Sequence, residues 1–296
     1  MDLDEREIVS HRPEPSPGVL YIVGTPIGNL RDLSPRAEAL LKRVSTIACE
    51  DTRHSGRWLK SIGVNAKFLS FYKHNTEKRL PQLLKKLEAK ESIALISDAG
   101  MPGISDPGQK LVSAAKTSGY EVICIPGPCA AITALVSSGL PTERFCFEGF
   151  LPAKSKERKQ VLQDISLEKR TSIIYESPNK LIKLLNELNE ICGENRPIQI
   201  SRELTKRFEE QIGPTIGEAL SYFLNKKPIG EFTIVLGGAP EVSNPAINHD
   251  ELLNSMKQLT NNGLSINQAA KIISNDTNYS KRFLYELAHT KTEKDS

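Results

Sequence analysis

The sequence predicts an α/β protein with two α/β domains and a small helical domain at its C-terminus. Short apolar runs alternate with amphipathic helical stretches from Gly18 to Gly238, and Gly, Pro and Asp residues follow the apolar runs. Alternation of this kind is typical of a mostly parallel sheet that helices cover on both faces. The length of 296 residues also exceeds that of one average domain.

The first predicted domain covers residues 18–140 and contains five strand-like runs, each followed by a helical stretch. In chain order these runs are GVLYIVG, TIACED, KFLSF, ESIALISD and YEVICIPG. The carboxyl ends of parallel strands meet at one edge of a sheet, where open α/β sheets bind ligands. We therefore expect the loops that follow these strands to form a binding site together.

The second predicted domain, residues 141–238, repeats the alternation, and we expect a hairpin arm at FEEQIGPT within it. Its strand-like runs are RFCFEGF, TSIIYES, PIQISREL and EFTIVLGG. Residues 239–249 are rich in Pro and Asn, follow Gly237 and Gly238, and predict a linker. Residues 250–296 show helical periodicity, and the charged, proline-rich residues 1–17 predict a disordered lead-in.

The composition excludes several classes of protein. Hydrophobic residues make up 39% of the chain, and no apolar run approaches the ~20 residues that span a bilayer, so we expect no membrane partner. The N-terminus lacks the apolar core of a secretory signal, and five scattered cysteines lack metal-binding spacing. We therefore expect a cytoplasmic protein with reduced thiols and no metal site. A net charge of +3 permits a nucleic-acid partner without arguing for one.

The segment SDAGMPGISDPG, residues 97–108, is the most informative loop. It follows an apolar strand and is rich in Gly, Pro and Asp, residues that occupy special backbone positions. It contains carboxylates but no basic residue, which disfavours a polyphosphate ligand. A ligand with a cationic centre, such as a sulfonium or an ammonium, suits it better, and a long structural turn is the alternative.

Two further loops follow predicted strands. In GTPIGNLRDLSPRA, residues 24–37, glycines permit a ligand to approach the backbone, but neither a GxGxxG spacing nor a Walker lysine is present. A tight turn in which Ser34 caps a helix that begins at Pro35 explains part of this loop, but not Asn29 or Asp32. EDTRHS, residues 50–55, suits recognition of a polar substrate, with a helix-capping role for Asp51 as the alternative.

A third such loop leads directly into a helix of small residues, IPGPCAAITAL at 125–135. Small side chains there leave space for a planar group. Taken together, the motifs occur in one order along the chain: GTPIGNLRDLSPRA, EDTRHS, HN at 74–75, SDAGMPGISDPG, IPGP, GFLP at 149–152, YESP at 175–178 and RELTK at 202–206. This series resembles the tetrapyrrole methylase superfamily, and within it the enzymes that methylate RNA of the small ribosomal subunit. The resemblance covers residues 18–238, and the tail is similar to the small helical C-terminal domain of those enzymes.

The resemblance implies two α/β domains with S-adenosylmethionine bound in the cleft between them, and a homodimer. It implies methyl transfer to the ribose 2′-oxygen of a decoding-region cytidine in 16S rRNA, within the small ribosomal subunit. One alternative is a methylase of a tetrapyrrole or another small substrate, against which GTPIGNLRDLSPRA and EDTRHS argue. A second is a non-catalytic RNA-binding α/β protein, against which the intact glycine- and aspartate-rich loop argues.

Carried over by position, the resemblance implies a set of cofactor contacts from both domains. These are Pro26, Asp98, Gly100, Met101, Ile104, Ser105, Gly127, Ala131, Tyr175, Phe232 and Thr233. The chain departs from the family pattern at Cys129, where the family usually has serine, and at Tyr72 and Lys73. The first departure puts a hydroxyl contact to the cofactor in doubt.

A ribose hydroxyl is a poor nucleophile, so a base or a cation near it would help the reaction. The catalytic candidates are Glu176, Glu203, Lys206, Asp32 and Arg53, although charged residues at strand ends are usually solvated or paired. Basic residues predict RNA contacts, with a merely solvated helix face as the alternative. The RNA-binding candidates are Lys154, Lys156, Arg158 and Lys159, with Lys281 and Arg282 in the tail.

Overall fold

The computed structural model describes residues 14–240, 249–276 and 279–290. The chain divides into two compact units between Ala239 and Pro240. The first unit contains both α/β halves and the second contains the tail helices. Most of the predicted lead-in, 1–17, and of the predicted linker, 239–249, lies outside the described residues. No described helix is both long enough and apolar enough to span a bilayer.

The first half is built on a five-stranded sheet in which all neighbouring strands are parallel. Its strands are β1 Leu20–Val23, β2 Thr46–Cys49, β3 Lys67–Ser70, β4 Ile93–Leu95 and β5 Val122–Ile125. Its helices are α1 Pro35–Leu41, α2 Thr52–Ser61, α3 Thr76–Glu88, α4 Gln109–Thr117 and α5 Ala130–Ser137. The strand order is β3-β2-β4-β1-β5, which confirms the predicted parallel sheet.

Alternate side chains of the central strand β1 face opposite sides of this sheet. Tyr21 and Val23 pack into the core under α1 and α2, while Leu20 and Ile22 pack into the core under α3 and α4. The predicted helix caps are confirmed. The Ser34 hydroxyl accepts a hydrogen bond from an N–H in the first turn of α1, and the Asp51 carboxylate does the same for α2.

The second half has a five-stranded sheet in which only one pair of strands is parallel. Its strands are β6 Phe145–Phe150, β7 Thr171–Glu176, β8 Ile198–Arg202, β9 Glu210–Ile212 and β10 Phe232–Leu236, and its helices are α6 Ser155–Leu167, α7 Pro178–Cys192 and α8 Ile216–Asn225. The order is β6-β7-β10-β8-β9, and all pairs except β6–β7 are antiparallel. The prediction of a mostly parallel sheet is therefore wrong for this half, because β10 lies between β7 and β8 and runs against both. Strand β9 confirms the predicted hairpin arm.

Helix α5 of the first half also covers the second sheet. Ala134 and Leu135 of this helix share a hydrophobic cluster with Ile173 of β7 and Val235 of β10, all of them buried. The two halves therefore have a core region in common, although they share no strand. In the second unit, α9 His249–Asn261, α10 Ile266–Asp276 and α11 Lys281–Thr290 confirm the predicted helical tail.

Candidate functional site

At the carboxyl edge of the first sheet, the loops after β1 and β4 are joined to each other. The Thr25 N–H donates to the Gly100 carbonyl at 2.9 Å, and the Gly100 N–H donates to the Thr25 carbonyl at 3.1 Å. The buried Thr25 hydroxyl lies 3.3 Å from the carbonyl of Ser97. These bonds form because β1 and β4 are neighbours in the sheet, and they hold the segment 97–108 against the first loop.

The loops after β1 and β5 approach so closely that only glycine fits at their contact. A Cβ atom on Gly127 would lie 2.8 Å from backbone atoms of Gly24. A Cβ atom on Gly24 would lie 2.6 Å from both the Gly127 Cα and the Met101 Sδ. The glycines at the ends of these strands therefore let three loops pack together at one edge.

A cavity of about 410 Å³ lies between this edge and the second sheet. Its side from the first half, which we call the first wall, consists of Ile27, Glu50, residues 98–101, residues 104–106, Cys129 and Ala130. Its side from the second half, which we call the second wall, consists of Phe150, residues 175–178, Ser201, Leu204 and residues 230–233. The volume is within the range of small-molecule sites, which mostly measure about 300–1,000 Å³.

Most of the predicted cofactor contacts line this cavity, and three lie behind its surface. Those in the lining are Asp98, Gly100, Met101, Ile104, Ser105, Tyr175, Phe232 and Thr233. Pro26, Gly127 and Ala131 are not part of the lining. Gly127 packs on Gly24 instead, and the Ala131 N–H donates to the Tyr175 hydroxyl at 3.0 Å.

Tyr175 connects the two walls. Its hydroxyl accepts the bond from the first helical turn of α5, and its ring packs against Phe147 and Phe150 at centroid distances of 5.1 and 5.5 Å. Burial raises the pKa of Tyr175 to about 12, so the phenol stays neutral at physiological pH. The second wall thus presents a rigid aromatic surface of the type on which planar groups bind.

The catalytic candidate Glu176 is buried in the second wall and forms an ion pair. Its Oε2 atom lies 3.6 Å from the Arg158 guanidinium, and its Oε1 atom accepts the N–H of Ser177 at 2.8 Å. Arg158 is only 5% exposed. Its Nε and Nη2 atoms also donate hydrogen bonds to the Glu187 carboxylate at 2.9 and 2.7 Å. The prediction that Arg158 contacts RNA is therefore wrong, because its guanidinium is buried and pairs with two carboxylates.

Lys206 and Glu203 form a second ionic network beside the cavity. The Lys206 ammonium lies 2.9 Å from Glu203 and 2.8 Å from Glu231. Burial opposes the charge of Lys206, but the hydrogen bonds to Glu231 and Glu203 outweigh burial and raise its pKa. Burial also opposes the charge of Glu203, yet the bonds from Lys206 and from the Glu231 N–H lower its pKa. Both groups are therefore charged at neutral pH, which suits stabilisation of a developing charge better than proton transfer.

The remaining candidates lie outside the cavity lining. Asp32 is exposed at the end of the short 3-10 helix that precedes α1. The Arg53 side chain is 89% exposed and pairs with Asp51 at 3.1 Å. Lys154, which caps the N-terminus of α6, is exposed, as are Lys156 and Lys159 in α6 and Lys281 and Arg282 in α11 of the second unit.

The cavity also contains carboxylates that the sequence reasoning did not assign to the site. Glu50 and Asp106 line the first wall as neighbours, and the charge of Asp106 helps to raise the pKa of Glu50. Glu50 follows β2 directly, and Asp106 lies in the predicted ligand loop, so their positions at strand ends were the available signal. Within the described ranges, no group of three or more His, Cys, Asp or Glu side chains is arranged to hold a metal ion.

The chain was compared with protein families, curated proteins and solved structures. Residues 19–220 match the family model of Tetrapyrrole (Corrin/Porphyrin) Methylases. A ribosomal RNA small subunit methyltransferase I from Synechocystis is 44% identical over 92% of this chain and 97% of its own length. The protein of the same name from Haemophilus influenzae is 42% identical over the same shares.

This chain belongs to the tetrapyrrole methylases, in the branch of ribosomal RNA small subunit methyltransferase I. The fold agrees with that membership. A cobalt precorrin-4 methyltransferase of cobalamin biosynthesis matches 74% of this chain and 95% of its own, with a TM-score of 0.56 and 18% identity. A uroporphyrin-III C-methyltransferase from Thermus thermophilus, complexed with S-adenosylhomocysteine, gives a TM-score of 0.52 over 74% of this chain and 96% of its own, at 16% identity.

As a tetrapyrrole methylase, the chain uses S-adenosylmethionine, and the cavity residues fit this cofactor. The first wall offers three carboxylates to a ligand that carries a sulfonium and an ammonium, Glu50, Asp98 and Asp106. Apolar and aromatic side chains, among them Met101 and Tyr175, offer surfaces to an adenine ring. Cys129 lies in the lining, so the hydroxyl expected from the family pattern is replaced there by a thiol.

Proposed function

We propose that this tetrapyrrole methylase transfers a methyl group to the ribose 2′-oxygen of a decoding-region cytidine in 16S rRNA. The observation that carries the proposal is near-full-length similarity to proteins named ribosomal RNA small subunit methyltransferase I, at 44% and 42% identity. The predicted cofactor contacts that line one cavity add support, because methyl donor and acceptor must meet in one place.

S-adenosylmethionine supplies an activated methyl group on a sulfonium centre, so the residues of the chain chiefly bind, orient and exclude water. The carboxylates of the first wall complement a cation, and the aromatic second wall fixes a planar group. The Gly24–Gly127 contact and the Thr25–Gly100 bonds keep the first wall rigid. Rigid positioning of two reactants is worth about 7–11 kcal/mol of barrier in favourable cases.

Lys206 is the candidate for electrostatic stabilisation of the substrate oxygen. It stays charged beside Glu231, a residue of the cavity lining. A fixed cation near an oxygen that loses its proton lowers the barrier, in the manner of an oxyanion site. Glu176, which Arg158 neutralises, is better suited to position the second wall than to accept a proton.

The exposed basic residues are candidates for phosphate contacts. Lys154, Lys156 and Lys159 lie at the N-terminal end of α6. Arg53 lies in the first turn of α2, which follows β2 at the edge that carries the cavity. We propose that these basic residues hold RNA beside the cavity, and that Lys281 and Arg282 of the second unit add further contacts.

We propose further that the enzyme is a cytoplasmic homodimer and acts on RNA within the small ribosomal subunit. Exposed apolar side chains in the first unit, among them Ile132 and Val136 of α5, support self-association. Sedimentation velocity tests the dimer: a single species of about 33 kDa at micromolar concentration would contradict it.

Methyl transfer from labelled cofactor tests the proposed function. Naked 16S rRNA, assembled small subunits and a uroporphyrinogen are offered in parallel, all prepared so that they lack the modification. We expect label in RNA and none in the tetrapyrrole. The modified nucleotide is then mapped by reverse transcription at limiting nucleotide concentration, where a 2′-O-methyl group stops extension.

The outcomes separate the three hypotheses. A stop at a decoding-region cytidine supports the proposal, and a stop elsewhere keeps RNA methylation but corrects the target. Label in the tetrapyrrole alone overturns the proposal in favour of a small-substrate methylase. Tight cofactor binding without transfer to any substrate would instead support a non-catalytic RNA-binding protein.

A further inference from the structure

Five carboxylate side chains line the cavity, and three of them have stabilising partners. Glu176 faces Arg158, and Glu231 faces Lys206. Asp98 accepts hydrogen bonds from the Ser55 hydroxyl at 3.2 Å and from the backbone N–H of residue 51 at 3.4 Å. Each of these three carboxylates is therefore held in place by a cation or by hydrogen-bond donors.

The other two carboxyls, Glu50 and Asp106, are partnered by each other. Their side chains are neighbours, and the Ser97 hydroxyl of the same loop donates to the backbone carbonyls of Ala99 and Gly100 at 3.1 and 3.2 Å. Among the described residues, no Lys or Arg lies within ion-pair distance of either carboxyl. Two neighbouring carboxyls without a cation repel each other when both are ionised, which favours the form in which one of them carries a proton.

The surroundings of Glu50 hold this proton near neutral pH. Burial, then the charge of Asp106, then that of Asp98 raise the pKa of Glu50 to about 7. Burial also raises the pKa of Asp106, although the neighbouring Ser97 and Glu50 side chains oppose this shift. From the second wall, the titratable groups in the lining are the neutral phenol of Tyr175 and the carboxylates Glu176 and Glu231, which pair with Arg158 and Lys206. A base is most effective when its pKa is near the working pH.

We propose that Glu50 accepts the proton of the substrate hydroxyl during methyl transfer, with Asp106 as its positioning partner. This inference rests on the proposed function. The hydroxyl oxygen forms its bond to the methyl carbon while the carbon–sulfur bond breaks, and that bonding pair remains on sulfur. The oxygen–hydrogen bond breaks in the same step, its electron pair stays on oxygen, and the proton passes to the Glu50 carboxylate and then to solvent.

A positively charged cofactor beside the pair stabilises its fully ionised form. Cofactor binding therefore lowers the pKa of Glu50 and releases a fraction of a proton near pH 7. This release does not depend on the substrate. Calorimetry in buffers of different ionisation enthalpy measures it directly.

The test compares Glu50→Gln and Glu50→Asp with Glu38→Gln, a control on α1 whose partly exposed carboxylate lies outside the cavity lining and pairs with Lys42. Single-turnover transfer to the RNA substrate is measured across pH, together with cofactor affinity and proton release. The wild-type rate is expected to rise with pH to a plateau above about 7. Glu50→Gln should lower the plateau rate roughly 10²- to 10⁴-fold and remove the fall in rate at low pH, which we call the acid limb. It should also abolish proton release, while cofactor affinity changes less than tenfold. Glu50→Asp should recover part of the rate, and Glu38→Gln should match the wild type.

A second variant keeps the inference falsifiable if Glu50→Gln folds poorly by circular dichroism. Asp106→Asn removes a negative charge beside Glu50. The fall in rate at low pH should therefore remain, but its midpoint should move to a lower pH. The assignment of the base is overturned if the midpoint of the fall in rate is unchanged in Asp106→Asn. It is also overturned if Glu50→Gln has the rate and the pH dependence of the wild type.

The remaining outcomes separate this inference from the proposed function. If Glu50→Gln loses cofactor affinity in proportion to its rate and keeps the acid limb, Glu50 binds the cofactor and the base assignment is wrong. Transfer by the wild type with no role for Glu50 leaves the proposed function intact. No transfer by the wild type to small-subunit RNA overturns both.

Discussion

The two walls of the cavity use the same acidic side chains in opposite electrostatic settings. In the second wall, Glu176 faces Arg158 and Glu231 faces Lys206. In the first wall, Glu50 and Asp106 face each other. The second wall therefore pairs its carboxylates with cations, whereas burial and neighbouring negative charges in the first wall raise the pKa of Glu50 to about 7. The difference shows that the partner of a carboxylate, and not its residue type, decides what it contributes.

The largest change in stability is expected when the buried cation of the second wall is removed. Arg158→Leu leaves the buried Glu176 without its partner, whereas the partly exposed Glu187 keeps Lys183 at 3.8 Å, and we expect unfolding free energy to fall by about 3–5 kcal/mol. Urea denaturation measures the loss. The exposed neighbour in Lys159→Ala is the control and should change stability by less than about 0.5 kcal/mol. Equal stability of both variants would mean that the second wall does not depend on its ion pairs.

A second change tests the rigidity of the first wall. Gly127→Ala forces a Cβ against the backbone of Gly24, so stability should fall by about 1–3 kcal/mol and cofactor affinity with it. Gly56→Ala is the matched control, because a Cβ there meets nothing within 4 Å inside α2. That control should raise stability by about 0.4–1 kcal/mol. Calorimetric binding and thermal unfolding report both effects.

The link between the walls is tested by Tyr175→Phe. The ring stays, but the Ala131 N–H loses its acceptor, and we expect a loss of roughly 1–2 kcal/mol in stability. Cofactor affinity should weaken by a few-fold, as isothermal titration would show. Full affinity and stability in this variant would mean that the walls are held together by packing alone.

The smallest expected effect is a pH-dependent gain in stability from Glu50→Gln. The pKa of Glu50 is raised in the folded state, so the folded protein binds more protons than the unfolded chain between about pH 4.5 and 7. Wild-type stability therefore falls as pH rises through this window. After allowance for solvent screening, Glu50→Gln should be more stable than the wild type by about 1 kcal/mol at pH 8 and equal to it near pH 4. Thermal unfolding at both pH values measures the difference, and a gain of the same size at pH 4 would contradict its assignment to ionisation.

The sequence predicted the first half more fully than the second for a physical reason. In the first half each strand is followed by a helix that returns the chain, so alternation alone gives a parallel sheet. The direction of β10 depends on where it inserts between β7 and β8, which no local pattern encodes. The inward position of Arg158 was within reach of the sequence, since it shares a helix face with Leu162 and Ile165 at spacings of four and three.

Sequence motifs also predicted one part of the site, whereas another part depends on the three-dimensional arrangement of the strands. The glycine- and aspartate-rich loop marked the ligand cavity, and most of the contacts predicted from the resemblance line it. The pairing of Glu50 with Asp106 joins residues more than fifty positions apart, through loops of neighbouring strands. Such a pair is visible only once the strand order is known.

The shared helix α5 limits how the protein can be divided. The predicted domain boundary at residue 140 would separate α5 from the sheet that it covers. A fragment that starts there would expose Ile173 and Val235 to water, and a fragment that ends there would leave Ala134 and Leu135 uncovered. The two α/β halves are thus distinct in topology but inseparable as polypeptides, and a soluble working fragment must extend across both.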